Sequence, residues 1–377
     1  MLLKSLSTHQ KKYSIFNKFA IFEAPKSVLL TVCTILTASV LCLYSSSGGA
    51  IEPWAFKQII FITISFTVFY VIISVNVKII YKFSYISMFC VIILLLAVIP
   101  FGKRVLGASR WLDFGVFMVQ PSEYAKVAVI LVLAKFFSNI NVKRIKNFST
   151  TVVAFIIILP IFTLVVFQPD LATSIIIVSL TAIILFVAGV PLWEFILAGS
   201  MVIVSAPIVW IKLLKDYQKL RIINFLFPES DPLGSGYNII QSKIAVGSGG
   251  VLGKGFLEGT QGRLRFLPEH HTDFIFTIVG EEFGFVGAVA LILLYLYIVF
   301  YGFTVARNTN STFYKLVATG CASLIFLHMF VNIGMTVALM PVAGIPLIMF
   351  SYGGSSLMIG LICIAIIINI DINKNII

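Results

Sequence analysis

Apolar residues run along this chain in long blocks rather than in alternation. From Ser27 onward they come in stretches of about twenty, separated by short polar or glycine-bearing breaks. About twenty apolar residues in a helix cross the roughly 30 Å hydrocarbon core of a bilayer. A membrane barrel would instead show strands of about ten residues with alternating character. The blocks predict about ten transmembrane helices, at 27–45, 54–75, 79–99, 121–138, 148–167, 170–189, 191–211, 272–304, 314–340 and 346–370. The eighth is long enough to tilt or break, with Gly280, Gly284 and Gly287 as weak points. The fourth opens with Pro121, a favoured first-turn residue. The expected fold is an all-α polytopic membrane protein with a long extracytoplasmic loop, 212–271, between helices seven and eight.

Composition sharpens this reading. The 377 residues are 59% hydrophobic and 11% charged, against about half and about one quarter for a soluble domain. One soluble core cannot absorb that much apolar sequence. Cys33, Cys42, Cys90, Cys321 and Cys363 all fall in apolar blocks, without disulfide or metal-ligand spacing. The first apolar block follows a basic tail and lacks a small-residue cleavage pattern, so no cleavable signal is expected.

The net charge is +12, and its placement orients the chain. Lys4, Lys11, Lys12, Lys18 and Lys26 precede the first span. Lys78 and Lys82 follow the second, Lys135, Lys143, Arg144 and Lys146 the fourth, and Arg307 and Lys315 the eighth. All fall on one side, which the positive-inside rule makes cytoplasmic. The expected organisation is a basic cytoplasmic tail over 1–26, a membrane domain over 27–370 and a cytoplasmic tail over 371–377. The outward loop 212–271 is itself basic, which fits an anionic partner or substrate, or equally a loop facing anionic headgroups.

Ionisable residues inside a membrane are costly and therefore candidates for function. Glu123 and Lys126 share a helix face in the first turns of the fourth span, as a cavity pair or as a local pair that eases the helix start. Asp273 stands where the long loop enters the eighth span. Partial desolvation there would raise its pKa toward that of a general base, although a first-turn carboxylate can also serve the helix dipole. Glu281 and Glu282 lie deeper on the same span. His270 and His271 lack a third ligand at metal spacing, and His328 reads as a satisfied core histidine. The run from Gly247 to Gly255 is not a nucleotide loop, because no Ser or Thr follows Lys254 and no strand precedes it.

Several segments together resemble the SEDS family (shape, elongation, division and sporulation proteins), and within it the RodA branch. They are Gly107-Ala108-Ser109-Arg110-Trp111, Gln120-Pro121-Ser122-Glu123, Gln168-Pro169-Asp170, Asp231-Pro232-Leu233-Gly234, Gly259-Thr260-Gln261, Phe266-Leu267-Pro268-Glu269, His271-Thr272-Asp273, Pro341-Val342-Ala343-Gly344 and Ser351-Tyr352-Gly353-Gly354. The resemblance implies a peptidoglycan glycosyltransferase that polymerises lipid II during cell elongation. It implies Asp273 as the essential carboxylate and Glu123 with Lys126 as a cavity ion pair. Arg110, Lys254, Gln261, Arg263, Arg265 and His271 are the candidate substrate contacts. A divalent cation (Mg or Mn) is compatible, though no carboxylate cluster demands one. The implied partners are a class B penicillin-binding protein acting as transpeptidase, elongation-complex proteins and the bacterial inner membrane, with no nucleic acid. Competing readings are a flippase for the lipid-linked precursor and a non-catalytic scaffold for wall synthesis.

Overall fold

The structure, a computed structural model, describes residues 20–105, 108–115, 118–230, 235–260 and 269–374. The predicted spans one to seven appear as α1 (Lys26–Ser46), α2 (Trp54–Ser74), α3 (Val77–Phe101), α4 (Pro121–Ser138), α5 (Phe148–Phe167), α6 (Leu171–Ala188) and α7 (Leu192–Ile208). The long loop contributes α8 (Asp216–Leu226) and α9 (Ser235–Ser248). The last spans appear as α10 (Ile275–Glu282), α11 (Gly284–Arg307), α12 (Thr312–Thr336) and α13 (Gly354–Asn373).

Among the described residues, nine helices are long and apolar enough to cross a membrane. The predicted fourth span, α4, falls outside that set because it carries Glu123, Lys126 and Lys135 within one stretch of 18 residues. It is nonetheless the hub of the bundle, packing against α3, α5, α6, α12 and α13. Its charges are tolerated because they face other helices rather than lipid. At the other extreme is α7, with only 6% of its most apolar window buried; it stands at the edge of the bundle.

Three features shape the end of the bundle that carries Asp273; the second was expected from the sequence, and the first and third depart from it. First, the 101–120 linker is not simply a loop. It forms a small antiparallel sheet of β1 (Gly102–Val105), β2 (Ala108–Asp113) and β3 (Met118–Val119), in that order. Gly102 permits the sharp exit from α3, since a Cβ there would stand 2.3 Å from the Val98 carbonyl oxygen.

Second, the eighth span breaks at Phe283, with Gly284 at φ +63°. The glycine-rich run braces the break: Lys254 and Gly255 donate backbone N–H groups to the carbonyls of Glu281 and Glu282 at 3.0 and 3.1 Å. Phe285 and Val286 donate to the carbonyls of Gly250 and Val251 at 2.9 and 3.1 Å. A Cβ on Gly253 would stand 2.1 Å from the Glu282 carbonyl oxygen, so two backbones meet where only glycine fits.

Third, the tenth predicted span, α13, begins at Gly354 rather than near residue 346, and 341–353 is irregular. Irregular backbone is tolerated at membrane depth only where protein satisfies its polar groups. Side chains from the surrounding helices do so here. The Ala343 carbonyl accepts from Arg221, Ile345 from Asn332, Ile348 from Tyr295, Phe350 from Ser39 and Ser351 from Gln58. These donors lie on α8, α12, α11, α1 and α2, which explains why an apolar run that could extend α13 stays unwound.

Candidate active site

Asp273 lies in the turn 269–274, immediately before α10. The turn is closed by bonds from the Thr272 and Phe274 N–H groups to the Glu269 carbonyl at 3.1 and 3.3 Å. It is stitched to the unwound segment at three points. Ser351 Oγ donates to the Thr272 carbonyl at 2.6 Å, and the Tyr352 N–H donates to the His271 carbonyl at 2.9 Å. Asn332 Nδ2 donates both to the Asp273 carbonyl at 2.8 Å and to the Ile345 carbonyl at 2.7 Å. Gly344, at φ +70°, lies against the carboxylate: a Cβ there would stand 3.5 Å from Asp273 Oδ2.

Burial raises the Asp273 pKa from the ordinary 3.8 to about 6, and the neighbouring Glu269 carboxylate pushes the same way. The Arg221 and Arg110 guanidiniums oppose them. Such a carboxylate is ionised at neutral pH yet more basic than an exposed one, which suits a general base. Both arginines rest on backbone carbonyls. Arg221 donates to Ala343 at 3.3 Å, and Arg110 donates to Gln168 at 3.3 Å and also to Pro169.

The Gln168–Asp170 turn beneath Arg110 is fixed in turn by Asp170. Its buried carboxylate accepts from Gln120 Nε2, Ser122 Oγ and Thr173 Oγ1 at 3.2, 3.1 and 2.9 Å, and it caps α6 through the Thr173 N–H. His271 stacks on Trp54, with ring centroids 3.8 Å apart. Desolvation and His270 lower its pKa to about 4, so it is neutral near pH 7.

Glu123 and Lys126 form the expected pair, Nζ to Oε1 at 2.6 Å, and both side chains are buried. Lys126 Nζ also lies 2.7 Å from His328 Nε2. Lys254 is placed differently from a free substrate contact: its ammonium bonds Glu281 Oε1 at 2.6 Å and Thr260 Oγ1 at 3.1 Å. Gln261, Arg263 and Arg265 lie outside the described residues. Among the described residues, no three His, Cys, Asp or Glu side chains converge as a metal site, so the described groups alone do not make one for a divalent cation.

The cell cycle protein family FTSW_RODA_SPOVE matches residues 20–376. This chain belongs to that family. Among FTSW_RODA_SPOVE relatives, it is 41% identical over 352 residues to the peptidoglycan glycosyltransferase MrdB of Escherichia coli, covering 92% of this chain and 93% of the relative. It is 32% identical to the peptidoglycan glycosyltransferase RodA of Treponema pallidum, covering 91% and 96% of the two chains. Its fold is similar to a chain of a peptidoglycan synthase complex that coordinates polymerization and crosslinking (TM-score 0.79, 28% identity, 93% and 98% coverage). It is also similar to the rod shape determining protein RodA of Thermus thermophilus (TM-score 0.67, 25% identity, 93% and 97% coverage).

Within this FTSW_RODA_SPOVE chain the structure gathers Asp273, Arg110 and His271 at one end of the bundle, with the Glu123–Lys126 pair on α4. It adds Asn332, which the sequence reading had not singled out, and it gives contacts to Asp170 and Arg221, which lie in segments that carry the resemblance but had no role assigned. The signal for Asn332 was present: Asn332 and His328 are four residues apart on one apolar helix, so they share a face. Arg221 stood out only as one of several basic residues of the long loop; its place beside Asp273 was not legible, because only folding brings α8 against residue 343.

Proposed function

We propose that this chain is a membrane-embedded peptidoglycan glycosyltransferase that lengthens glycan strands from lipid II during cell elongation, with Asp273 as general base. The observation that carries this reading is the half-buried Asp273 carboxylate, with a pKa raised to about 6 and two guanidiniums acting on it. In the proposed step, Asp273 takes the proton of the acceptor sugar 4-hydroxyl. The oxygen bonds to the anomeric carbon of the donor sugar, and the bond to the undecaprenyl diphosphate breaks. The transition state is oxocarbenium-like and the leaving group is strongly anionic. Arg110 and Arg221 are the described cations suited to that charge, with Arg263 and Arg265 as further candidates from the sequence.

The orientation is part of the proposal. Lys78, Lys82, Lys135, Lys143, Arg144 and Arg307 border the helix ends opposite Asp273, which favours a cytoplasmic face there and an outward Asp273. The similarity to a synthase complex supports a transpeptidase partner of the class B penicillin-binding type. The flippase reading would need functional charge along a path open to both faces. Lys126 is instead held by Glu123 and His328, which favours the polymerase.

The test is polymerisation of labelled lipid II by the purified protein with a crosslinking-dead partner. Long glycan from wild type and none from a folded, partner-bound Asp273→Asn supports the reading. Equal polymer from both removes Asp273 from the chemistry. No polymer from either favours the flippase.

A further inference from the structure

His328 is completely buried on α12, and both ring nitrogens are engaged. Nε2 lies 2.7 Å from Lys126 Nζ. An ammonium has three donors and no acceptor, so Nε2 must accept. The proton of the neutral ring is therefore on Nδ1, which lies 3.1 Å from the Pro346 carbonyl oxygen and donates to it. Lys126, a donor only, and the Pro346 carbonyl, an acceptor only, demand the same tautomer; Lys126 anchors the ring through Nε2 and the ring supplies a donor to the unwound segment. One turn further along α12, Asn332 donates to the adjacent Ile345 carbonyl and to the Asp273 carbonyl. Two residues before Ile345 in the same unwound segment, the Ala343 carbonyl holds Arg221. Between them Gly344 lies against the Asp273 carboxylate.

We infer that His328 is a positioning residue, through which the Glu123–Lys126 pair holds residues 343–346 against Asp273. The inference rests on Asp273 being the general base. The ion pair then acts on catalysis without touching substrate. Its net charge is close to zero and its second carboxylate oxygen, Glu123 Oε2, is buried without a partner among the described residues. Its output is the direction of one imidazole N–H.

Two substitutions separate the two halves of the ring. Asparagine places a side-chain N–H near the position of Nδ1, whereas glutamine places its amide near the position of Nε2. H328N keeps a donor for Pro346 and gives up the Lys126 contact. H328Q keeps an acceptor for Lys126 and gives up Pro346. Hydrogen exchange over 341–353 in the folded, purified protein reads the linkage without reference to activity. Exchange should be faster in H328Q and in K126M than in H328N. Polymerisation of labelled lipid II then reads the consequence. H328Q should lose about tenfold or more in kcat, as expected for a misplaced base, with KM nearly unchanged; H328N should retain more of it. The acid limb of the H328Q profile should move relative to wild type, because a loosened segment admits water to Asp273 and releases Arg221 from the Ala343 carbonyl, while Glu269 and Arg110 are not held by that segment.

Equal exchange in H328Q and H328N would overturn the inference, as would a loss expressed only in KM or only in the amount of folded protein. Full activity in Asp273→Asn, with the exchange difference present, would overturn the general-base reading and leave the linkage standing.

Discussion

Asn332 and Asp273 are joined side chain to backbone: the Asn332 amide donates to the Asp273 carbonyl at 2.8 Å while its second N–H reaches Ile345 at 2.7 Å. One buried amide therefore ties the turn carrying the carboxylate to the unwound segment that covers it. The end of the bundle that carries Asp273 is built from such ties between irregular segments, with the helices serving as the frame. Its function should accordingly respond to changes in single donors and single charges.

With Asp273 as the proposed general base, its ionisation sets the pH dependence. Its folded pKa is raised from 3.8 to about 6, so the base form accumulates as pH rises through about 6. Polymerisation should climb about tenfold per pH unit below that value and level off above it. Stability runs the other way. The folded state holds this proton more tightly than the unfolded chain, so ionisation costs stability increasingly from about pH 4 and fully above about pH 6. Asp273→Asn should therefore melt higher than wild type at pH 7, and the gap should close below about pH 4. A wild-type profile flat between pH 5 and 8 in a chemistry-limited assay would count against the assignment.

The charged neighbours of Asp273 give a signed test. Arg221 and Arg110 lower its pKa and Glu269 raises it. Arg221→Gln should shift the acid limb to higher pH, and Glu269→Gln to lower pH. If Arg221 also meets the diphosphate, Arg221→Gln should lose rate on the plateau as well. Rate profiles on detergent-solubilised protein would separate the two effects.

Breaking the buried pair should cost more than removing it. Lys126→Met leaves Glu123 charged and buried without its cation, at a cost of about 3–5 kcal/mol. Adding Glu123→Gln removes the orphaned charge and should recover much of that stability. Activity should not return with it, since His328 still lacks the donor that orients it. Thermal unfolding and polymerisation on the single and double variants provide the check.

The Lys254–Glu281 pair should prove mainly structural. Glu281 Oε1 accepts from Lys254 Nζ, the Thr260 N–H and Thr260 Oγ1 at 2.6, 2.8 and 2.9 Å. Glu281→Ala strands these donors beside the helix break and should lower stability by about 2–4 kcal/mol. Lys254→Met should cost less, because Lys254 is partly exposed and water can replace it. If Lys254→Met instead raised KM for lipid II strongly at unchanged stability, Lys254 would be a substrate contact after all.

Much of this protein was legible in its sequence. Apolar blocks of about twenty residues specify membrane helices, because lipid offers the backbone no partner and a helix satisfies its own bonds. Glu123 and Lys126 are three residues apart on α4, so helical geometry alone places them on one face. Gly280, Gly284 and Gly287 marked the eighth span as breakable; only the fold placed the break at Phe283, with Gly284 in the left-handed region.

The residues around Asp273 were decided elsewhere. Residues 341–353 carry an apolar pattern that a helix could use. What keeps them unwound is a set of side-chain donors from α1, α2, α8, α11 and α12, hundreds of residues apart in some cases. No local pattern records a bond between Ser39 and Phe350 or between Arg221 and Ala343. The same holds for His328: the sequence shows a buried polar residue, but only packing against α4 decides which nitrogen carries its proton. Hydrophobic periodicity is a local property and survives in the sequence. The direction of a hydrogen bond between distant segments exists only once the chain has folded.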